Sequence, residues 1–307
     1  MRRINLVSPQ YFPDEVQSFN VEYSNIRGCL VRLDKAYEEI LDNHHYSAQV
    51  ASLIGELKII GISLANSLKY EGQFILQTQS DGPISLMVCN VTSGGKIRSY
   101  ARHRIRDLNT KIRQNSLPYL LGDGQMTFTV DQGENMYRYQ GITALKGSNL
   151  AECAQNHLQQ SEQIETAFLL TANPEMKRAA ALMIQRMPDS NENCNQTSQF
   201  LPESYDEIWP NSVGLMNSIT TEELIDPKQE AYQIIYRHYH KTGIQLHTTK
   251  LLKFQCQCSH EKIEKTIASF PLKEIDDLKT INGSITVDCE FCSTQYKFNS
   301  KMYDALE

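Results

Sequence analysis

The chain has 307 residues, of which 40% are hydrophobic, and a formal net charge of -6. This length suggests two domains with a sizeable core, and the acidic balance argues against a general nucleic-acid or anionic-membrane binder. The N-terminus lacks the apolar segment of a secretory signal, and no stretch reaches the roughly 18 consecutive apolar residues of a membrane span. We therefore expect a cytoplasmic protein. Its eight cysteines do not resemble a secreted disulfide framework.

The first part of the chain alternates strand and helix patterns. From Ser47 to Tyr70 apolar residues recur at helical spacing and predict a long core helix, in which Gly55 and Gly61 are expected where a neighbouring element approaches closely. Other predicted helices are Asp34 to Leu41, Asn149 to Gln163 and Glu175 to Met187. The predicted strands are Asn25 to Leu33, Phe74 to Gln79, Ile84 to Val91, Lys96 to Ala101, Met126 to Val130, Tyr137 to Leu145 and Thr166 to Thr171. Together they predict an α+β core of helices packed on antiparallel sheet.

The composition changes between Asp189 and Asn211, where Asn, Ser, Gln, Glu and Pro dominate. Such a segment is typical of a linker that is at least partly mobile. It contains Cys194, which could be oxidised or exchange with other cysteines. A helix is predicted to start near Thr220, and a second, amphipathic helix from Gln229 to Tyr239.

Four cysteines form two tight pairs near the C-terminus, Cys256 with Cys258 and Cys289 with Cys292, thirty residues apart. Thiolates suit Zn²⁺, and four of them close a tetrahedral structural site. The intervening residues predict two short helices, His260 to Phe270 and Pro271 to Thr280. The second pair has the form of a zinc knuckle between the strands Ile285 to Val287 and Gln295 to Phe298.

A module with so few large apolar side chains cannot bury enough surface to fold alone. Structural zinc contributes an apparent ~10–16 kcal/mol in small peptide sites, so loss of zinc is expected to unfold the module. The residues alone leave three uses of the site open: an inert zinc staple, a redox switch, and a thiol oxidoreductase with Cys289 and Cys292 as the active pair. Closely spaced thiolates can form disulfides when an oxidant attacks them, whereas the absence of a thioredoxin-like βαβ context counts against the oxidoreductase.

A basic segment from Lys96 to Arg113 carries seven basic residues against one acidic residue. It makes a zinc-containing nucleic-acid-binding protein the alternative function, although a solvated strand and loop explains the segment more simply. His260 could replace one thiolate, but four cysteines make that unnecessary. The histidines treated as ordinary surface residues are His44, His45, His238 and His240.

Several further stretches accompany the cysteine signature in a fixed order: Ile26 to Leu33 (IRGCLVRL), Gly55 to Leu57, Gly72 to Gln77, Asp81 to Pro83, Arg138 to Ile142 and Ser161 to Gln163. This arrangement resembles one family over nearly the whole chain, the 33-kDa heat-shock proteins, which are redox-regulated holdase chaperones of the bacterial cytosol.

The resemblance implies that Cys256, Cys258, Cys289 and Cys292 bind one zinc per chain in the reduced, inactive protein. Oxidation then forms the disulfides Cys256–Cys258 and Cys289–Cys292, zinc is released, and the C-terminal domain over residues 243–307 unfolds. A partly helical, metastable linker over residues 177–242 separates that domain from a core domain over residues 1–176. The linker then exposes apolar surface that captures unfolding client proteins without ATP. The family also implies a homodimer when oxidised, and no enzymatic activity.

Overall fold

The structure is a computed structural model that describes residues 12–22, 24–104, 117–133, 136, 138–188, 205–280 and 283–299. Its helices are α1 (Lys35–Asn43), α2 (Ala48–Ser67), α3 (Leu117–Leu121), α4 (Leu150–His157), α5 (Tyr205–Asn217), α6 (Thr221–Leu224), α7 (Ala231–Tyr239), α8 (His260–Ala268) and α9 (Leu272–Asp277). A π-helical turn (Leu158–Glu162) extends α4, and a 3₁₀ turn (His240–Thr242) extends α7.

The strands are β1 (Glu15–Val21), β2 (Ile26–Leu33), β3 (Gln73–Ser80), β4 (Ile84–Thr92), β5 (Lys96–His103), β6 (Gly124–Asp131), β7 (Tyr139–Ala144), β8 (Glu165–Asn173), β9 (Arg178–Arg186), β10 (Ile244–Leu246), β11 (Lys250–Leu251), β12 (Lys253–Phe254), β13 (Ser284–Asp288) and β14 (Gln295–Asn299). The first sheet has the order β10-β1-β2-β9-β8, with β11 also on β1, and the second has the order β12-β5-β4-β3-β6-β7. Strands β13 and β14 form a separate hairpin. The predicted α+β architecture is confirmed.

Helix α2 lies between the two sheets and is buried on nearly all sides. It contacts β2, β8 and β9 of the first sheet and β3, β4 and β5 of the second. A Cβ atom at Gly55 would lie 2.8 Å from the Tyr37 ring, and one at Gly61 would lie 3.1 Å from Cys89 Sγ. The expected close approaches are therefore present. Although α2 is long and apolar enough to span a membrane, 78% of that window is buried inside the protein, as in the core helix of a folded domain.

The helix predicted over Glu175 to Met187 is wrong, because Arg178–Arg186 forms strand β9 between β2 and β8. Its alternate residues Ala181 and Met183 face α2, while Leu182 and Ile184 face the opposite side of the sheet. Both faces are buried, so the polar–apolar alternation of a half-exposed strand is absent, and an alanine-rich apolar run has helical propensity. Nine residues of the predicted linker thus belong to the first sheet, while the three-part division of the chain stays a prediction.

The outer face of the first sheet is covered by α5, α6 and α7. The sheet supplies Phe19, Leu30, Leu182 and Ile184 to this second hydrophobic cluster, and the helices supply a matching apolar set. The members from these helices and the turns between them are Met216, Ile219, Leu224, Ile225, Ala231, Ile234, Ile235 and Tyr239. The predicted helices near Thr220 and over Gln229 to Tyr239 are confirmed as α6 and α7. Most of the predicted mobile segment, 189–204 with Cys194, lies outside the described residues.

The chain leaves this helical cover by pairing with both sheets in turn. Strand β10 pairs antiparallel with β1, β11 pairs with the other end of β1, and β12 pairs parallel with β5. Strand β1 has no counterpart in the sequence analysis. Its pairing ties the segment that follows the helical cover to the core, and Cys256 follows β12 after a single residue.

Candidate metal centre

The second cysteine pair lies on a tight turn between β13 and β14. The Cys289 amide donates to Thr294 O at 3.0 Å, and the Ser293 amide donates to Cys289 O at 2.8 Å. Ser293 adopts a left-handed backbone conformation with φ of 55°, a conformation that lets the chain turn back within one residue. The two strands pair in register from Ser284–Asn299 to Asp288–Gln295. The turn therefore presents both thiols on one side of the hairpin, as predicted for a knuckle.

The first pair is held between a strand and a helix. Strand β12 fixes the chain before Cys256, because the Gln255 amide donates to Ile97 O at 3.1 Å. After Cys258, the Ser259 side chain accepts a hydrogen bond from the Lys262 amide at 3.2 Å and caps α8. Hydrogen bonds therefore fix the residues on both sides of the C-x-C segment.

The fold brings all four sulfur atoms together. Cys256 Sγ lies 3.6 Å from Cys289 Sγ, and Cys258 Sγ lies 3.5 Å from Cys292 Sγ, with every pair of sulfur atoms within 4.8 Å. Tetrahedral zinc with bonds of about 2.3 Å requires sulfur–sulfur distances of about 3.8 Å. The observed spacing fits a four-thiolate zinc site. No disulfide joins the four cysteines in this structure.

The charges of the four sulfurs depend on one another. Burial raises the pKa of Cys256, but hydrogen bonds from the Cys258 amide and the neighbouring thiols outweigh it and lower that pKa to about 7. Burial raises the pKa of Cys289 to about 12, against amide hydrogen bonds from Phe291 and Cys292 that lower it. Cys256 therefore ionises more readily than Cys289. A bound dication favours the thiolate at all four positions.

Two side chains of β14 and its turn complete the surroundings of the sulfurs. The Tyr296 hydroxyl donates to Cys258 Sγ at 3.1 Å, and Thr294 Oγ1 lies 3.2 Å from Cys292 Sγ. His260, which could replace one thiolate, packs its ring on Phe298 with a centroid distance of 4.3 Å and is not among the residues that cluster for a metal. Among the described residues, the four cysteines are the group that could hold a metal ion.

The hydrophobic core of the C-terminal module is small. Its buried apolar residues, among those described, are Ile267, Ile275, Ile285 and Phe298. Four such side chains contribute about 1.5–3 kcal/mol each when fully buried, which is little against the entropy of ordering two helices and a hairpin. The expectation that a metal holds this module together agrees with that small core.

The tip of the knuckle contacts the core domain through Glu290. The Glu290 carboxylate accepts a hydrogen bond from Arg102 Nη2 at 2.8 Å. The Glu290 main-chain oxygen lies 2.8 Å from His44 Nε2. Next to it, the Ser293 hydroxyl donates to the carbonyl at the C-terminal end of α1, Asn43 O, at 2.6 Å. The knuckle is therefore docked on β5 and on the end of α1.

Phe291 adds an aromatic contact to this docking. Its ring meets the Tyr100 ring edge-on at a centroid distance of 4.7 Å, and Arg98 Cζ lies 4.1 Å from its centroid. Sequence analysis placed Arg98, Tyr100 and Arg102 in a possible nucleic-acid patch and His44 among ordinary surface histidines. The alternation of Arg98, Tyr100 and Arg102 on β5 was visible in the sequence. Glu290 and Phe291, which they contact, are distant in the chain. Residues 105–113 of the basic segment lie outside the described residues.

Comparison with known proteins finds one family, and the similarity extends over nearly the whole chain. The family model described as "Hsp33 protein" matches residues 14–299. A 33 kDa chaperonin of Pseudomonas aeruginosa is 33% identical over 288 residues, which cover 94% of this chain and 92% of the relative. A 33 kDa chaperonin of Caulobacter vibrioides is 33% identical over 295 residues, with 93% and 95% covered.

A solved structure has the same fold. It is the crystal structure of the 33 kDa chaperonin (heat shock protein 33 homolog) from Thermotoga maritima, which aligns with a TM-score of 0.75 at 19% identity. The alignment covers 95% of this chain and 97% of the other. The shared architecture therefore includes the core sheets as well as the cysteine-bearing module.

Proposed function

Because the chain belongs to the Hsp33 family, we propose that it is an ATP-independent holdase chaperone that oxidation of the four-cysteine cluster switches on. Its relatives are named chaperonins, so the chain is a chaperone and not an enzyme. In the reduced form Cys256, Cys258, Cys289 and Cys292 hold one zinc, which keeps the sulfurs as thiolates and the module folded.

The helical cover of the first sheet carries this proposal. Helices α5 to α7 bury an apolar face of β1, β2 and β9, and that face becomes a binding surface for exposed apolar segments once the helices leave. Their connection to the cysteine module is short, since only β10 to β12 lie between the end of α7 and Cys256. If the cysteine module unfolds, the C-terminal end of this connection is no longer held on the core.

A buried arginine shows how this cover is held. Arg32 on β2 is fully buried, and its Nη1 and Nη2 donate to Gln229 O at 2.5 Å and to Asp226 O at 2.6 Å. Its guanidinium also lies over the Phe12 ring, 3.8 Å from the centroid. A charge held by two carbonyls of one loop is stable only while that loop stays in place. If the loop between α6 and α7 moved away, the buried Arg32 guanidinium would lose both of these acceptors and would have to be hydrated instead.

The oxidation step removes the zinc ligands. Each disulfide forms when two thiols lose two electrons and two protons to an oxidant such as hydrogen peroxide, which is reduced to two water molecules. We assign the pairs as Cys256–Cys258 and Cys289–Cys292, although the shortest sulfur contacts in the folded cluster join Cys256 to Cys289 and Cys258 to Cys292. Once the module opens, only cysteines close in sequence stay close in space.

Among the described cysteines, oxidation favours this cluster because the other thiols are buried. Burial raises the pKa of Cys29 and of Cys89 to about 12 and that of Cys153 to about 11. A protonated, inaccessible thiol reacts slowly with oxidants. The four cluster cysteines are partly exposed, so the oxidant reaches them first. The partners of the active form are unfolding client proteins in the cytoplasm and a second copy of the chain, as a homodimer.

The test measures zinc release, protection and pairing on the same samples. Reduced protein is treated with peroxide at mildly elevated temperature; a chromogenic chelator reports zinc, light scattering reports aggregation of a heat-unfolding client, and peptide mass mapping identifies the disulfides. We expect zinc release and protection to rise together, to reverse with reductant, and to survive in the matched control Cys153→Ser. Zinc release without protection of the client from aggregation would show that the cluster is a structural metal site and not a switch. Salt-sensitive RNA or DNA binding by the zinc-loaded protein would favour the nucleic-acid alternative.

A further inference from the structure

The outward face of β5 forms a compact basic and aromatic surface. Arg98, Tyr100 and Arg102 alternate along the strand with Ile97 and Ala101, which are buried in the core. Residues two apart on a strand point to the same side, and His44 at the end of α1 borders them. We call these four residues, Arg98, Tyr100, Arg102 and His44, the β5 surface.

Every member of the β5 surface is engaged by two residues of the knuckle, Glu290 and Phe291. A carboxylate, an aromatic ring and a main-chain carbonyl are bound at once: the carboxylate by Arg102, the ring by Arg98 and Tyr100, and the carbonyl by His44. This is recognition of a peptide segment, since it includes a main-chain atom as well as two neighbouring side chains.

Arg98 gives independent support for a ligand at this place. Its Nε is buried and has no hydrogen-bond partner, and within the described part of the chain no carboxylate forms an ion pair with it. The Phe291 ring is what covers the guanidinium. Once that ring leaves, the guanidinium is free to contact another aromatic or acidic group.

We propose that the β5 surface is a binding site for acidic–aromatic peptide segments of unfolding client proteins, and that Glu290 and Phe291 occupy it as an internal competitor in the reduced protein. An aromatic residue next to a carboxylate is commonly buried in a folded protein and becomes available when that protein unfolds. The inference rests on the proposed function in one respect, because oxidation is the event that opens the knuckle and vacates the surface.

The closed knuckle explains why the surface is masked before oxidation. Cys289 and Cys292 flank the two residues, so a cluster held by metal fixes their conformation and keeps them beside β5. A tethered competitor acts at an effective concentration of the order of mM. A free segment of similar affinity is thereby excluded, and opening the turn removes this competition without any change in the surface itself.

The test uses the full-length protein and a labelled peptide copying Thr286 to Lys297 with both cysteines replaced by serine. Fluorescence anisotropy compares zinc-loaded wild type, oxidised wild type, and a zinc-loaded variant carrying Glu290→Gln and Phe291→Ala. We expect at least tenfold tighter binding to the oxidised protein and to the variant than to zinc-loaded wild type. A peptide with the same two substitutions serves as the ligand control.

The surface itself is tested by Arg98→Gln and Arg102→Gln in the oxidised protein, with Arg104→Gln, an exposed arginine just beyond β5, as the matched control. We expect the first two to weaken binding fivefold or more and the control to leave it unchanged. Equal binding to all forms, or failure of the open forms to bind the peptide, overturns the inference. A single-stranded oligonucleotide that binds the open forms more tightly than the peptide overturns it in favour of nucleic acid.

Failure of the inference and failure of the proposed function give different results. If oxidised protein suppresses client aggregation but does not bind the peptide, the holdase function stands and the β5 surface is only a docking site for the knuckle. If the knuckle variant binds the peptide but oxidised protein does not protect clients, the surface binds segments and the oxidation switch is wrong.

Discussion

Tyr239 is the side chain whose removal most directly tests whether the helical cover masks the chaperone surface. It is fully buried at the end of α7, its ring packs against Phe19 of β1 at a centroid distance of 5.5 Å, and its hydroxyl donates to Ser212 O of α5 at 3.0 Å. One residue thus joins two covering helices to the sheet. We expect Tyr239→Ala to open the cover while the cysteine cluster keeps its zinc.

The size of the effect follows from these contacts. Truncating a buried aromatic side chain costs about 3–5 kcal/mol, which corresponds to an increase of about 10²- to 10⁴-fold in the population with an open cover. Tyr239→Phe keeps the ring and loses only the hydrogen bond, at about 1 kcal/mol or about fivefold. Tyr236→Ala on the same helix, at a side chain that is 58% exposed, is the control and is expected to change stability by less than about 0.5 kcal/mol.

The assay combines three measurements on reduced protein. Zinc content shows that the cluster is intact, amide hydrogen exchange over residues 221–239 reports opening of the cover, and light scattering reports protection of a heat-unfolding client. We expect exchange and protection to increase in the order wild type, Tyr239→Phe, Tyr239→Ala. Faster exchange in Tyr239→Ala with zinc retained and no protection would refute the assignment of this face as the client-binding surface.

Three further predictions concern other parts of the chain. Removing zinc from reduced protein with a chelator is expected to speed amide exchange over residues 284–299, because the module buries few apolar side chains. Helix α2 is expected to stay protected. Unchanged exchange over residues 284–299 would show that the module folds without metal. Arg32→Gln is expected to release the loop at 226–229 and lower the oxidant dose needed for protection, which a peroxide titration with light scattering measures; an unchanged dose would mean that the loop does not hold the cover. Burial lowers the pKa of Lys58 to about 7, so between pH 7 and 8.5 the unfolded chain binds more protons than the folded one and this residue makes stability rise with pH. Lys58→Met should remove that contribution, and urea midpoints for both proteins at pH 7 and 8.5 measure it; equal pH slopes would show that Lys58 stays charged in the folded protein.

Local patterns in the sequence were sufficient for most elements and for the four-cysteine cluster. The spacing of Cys256, Cys258, Cys289 and Cys292 predicts a thiolate site because cysteines one or two residues apart share a turn, and the structure brings their sulfurs within 4.8 Å. Helix α2 was equally predictable from its periodicity. Each of these features depends on residues that are neighbours in the chain.

Strand β9 shows where local pattern fails. The sequence of Arg178–Arg186 has helical propensity, but it pairs with β2 on one side and β8 on the other. Because α2 covers one face of the sheet and α5 to α7 cover the other, each face offers an apolar environment, and the pairing of distant strands overrides local propensity. The sequence of this segment alone does not contain that information.

The sequence by itself therefore predicted a metal site and determined the α+β composition and the family resemblance, since these depend on residue types at short, fixed spacing. Only the tertiary structure decided what the helical cover masks and where the knuckle docks. The contact of Glu290 with Arg102 joins residues 188 positions apart, and no local periodicity encodes such a pair. It exists because β12 pairs with β5 and thereby sets the cysteine module beside the outward face of that strand.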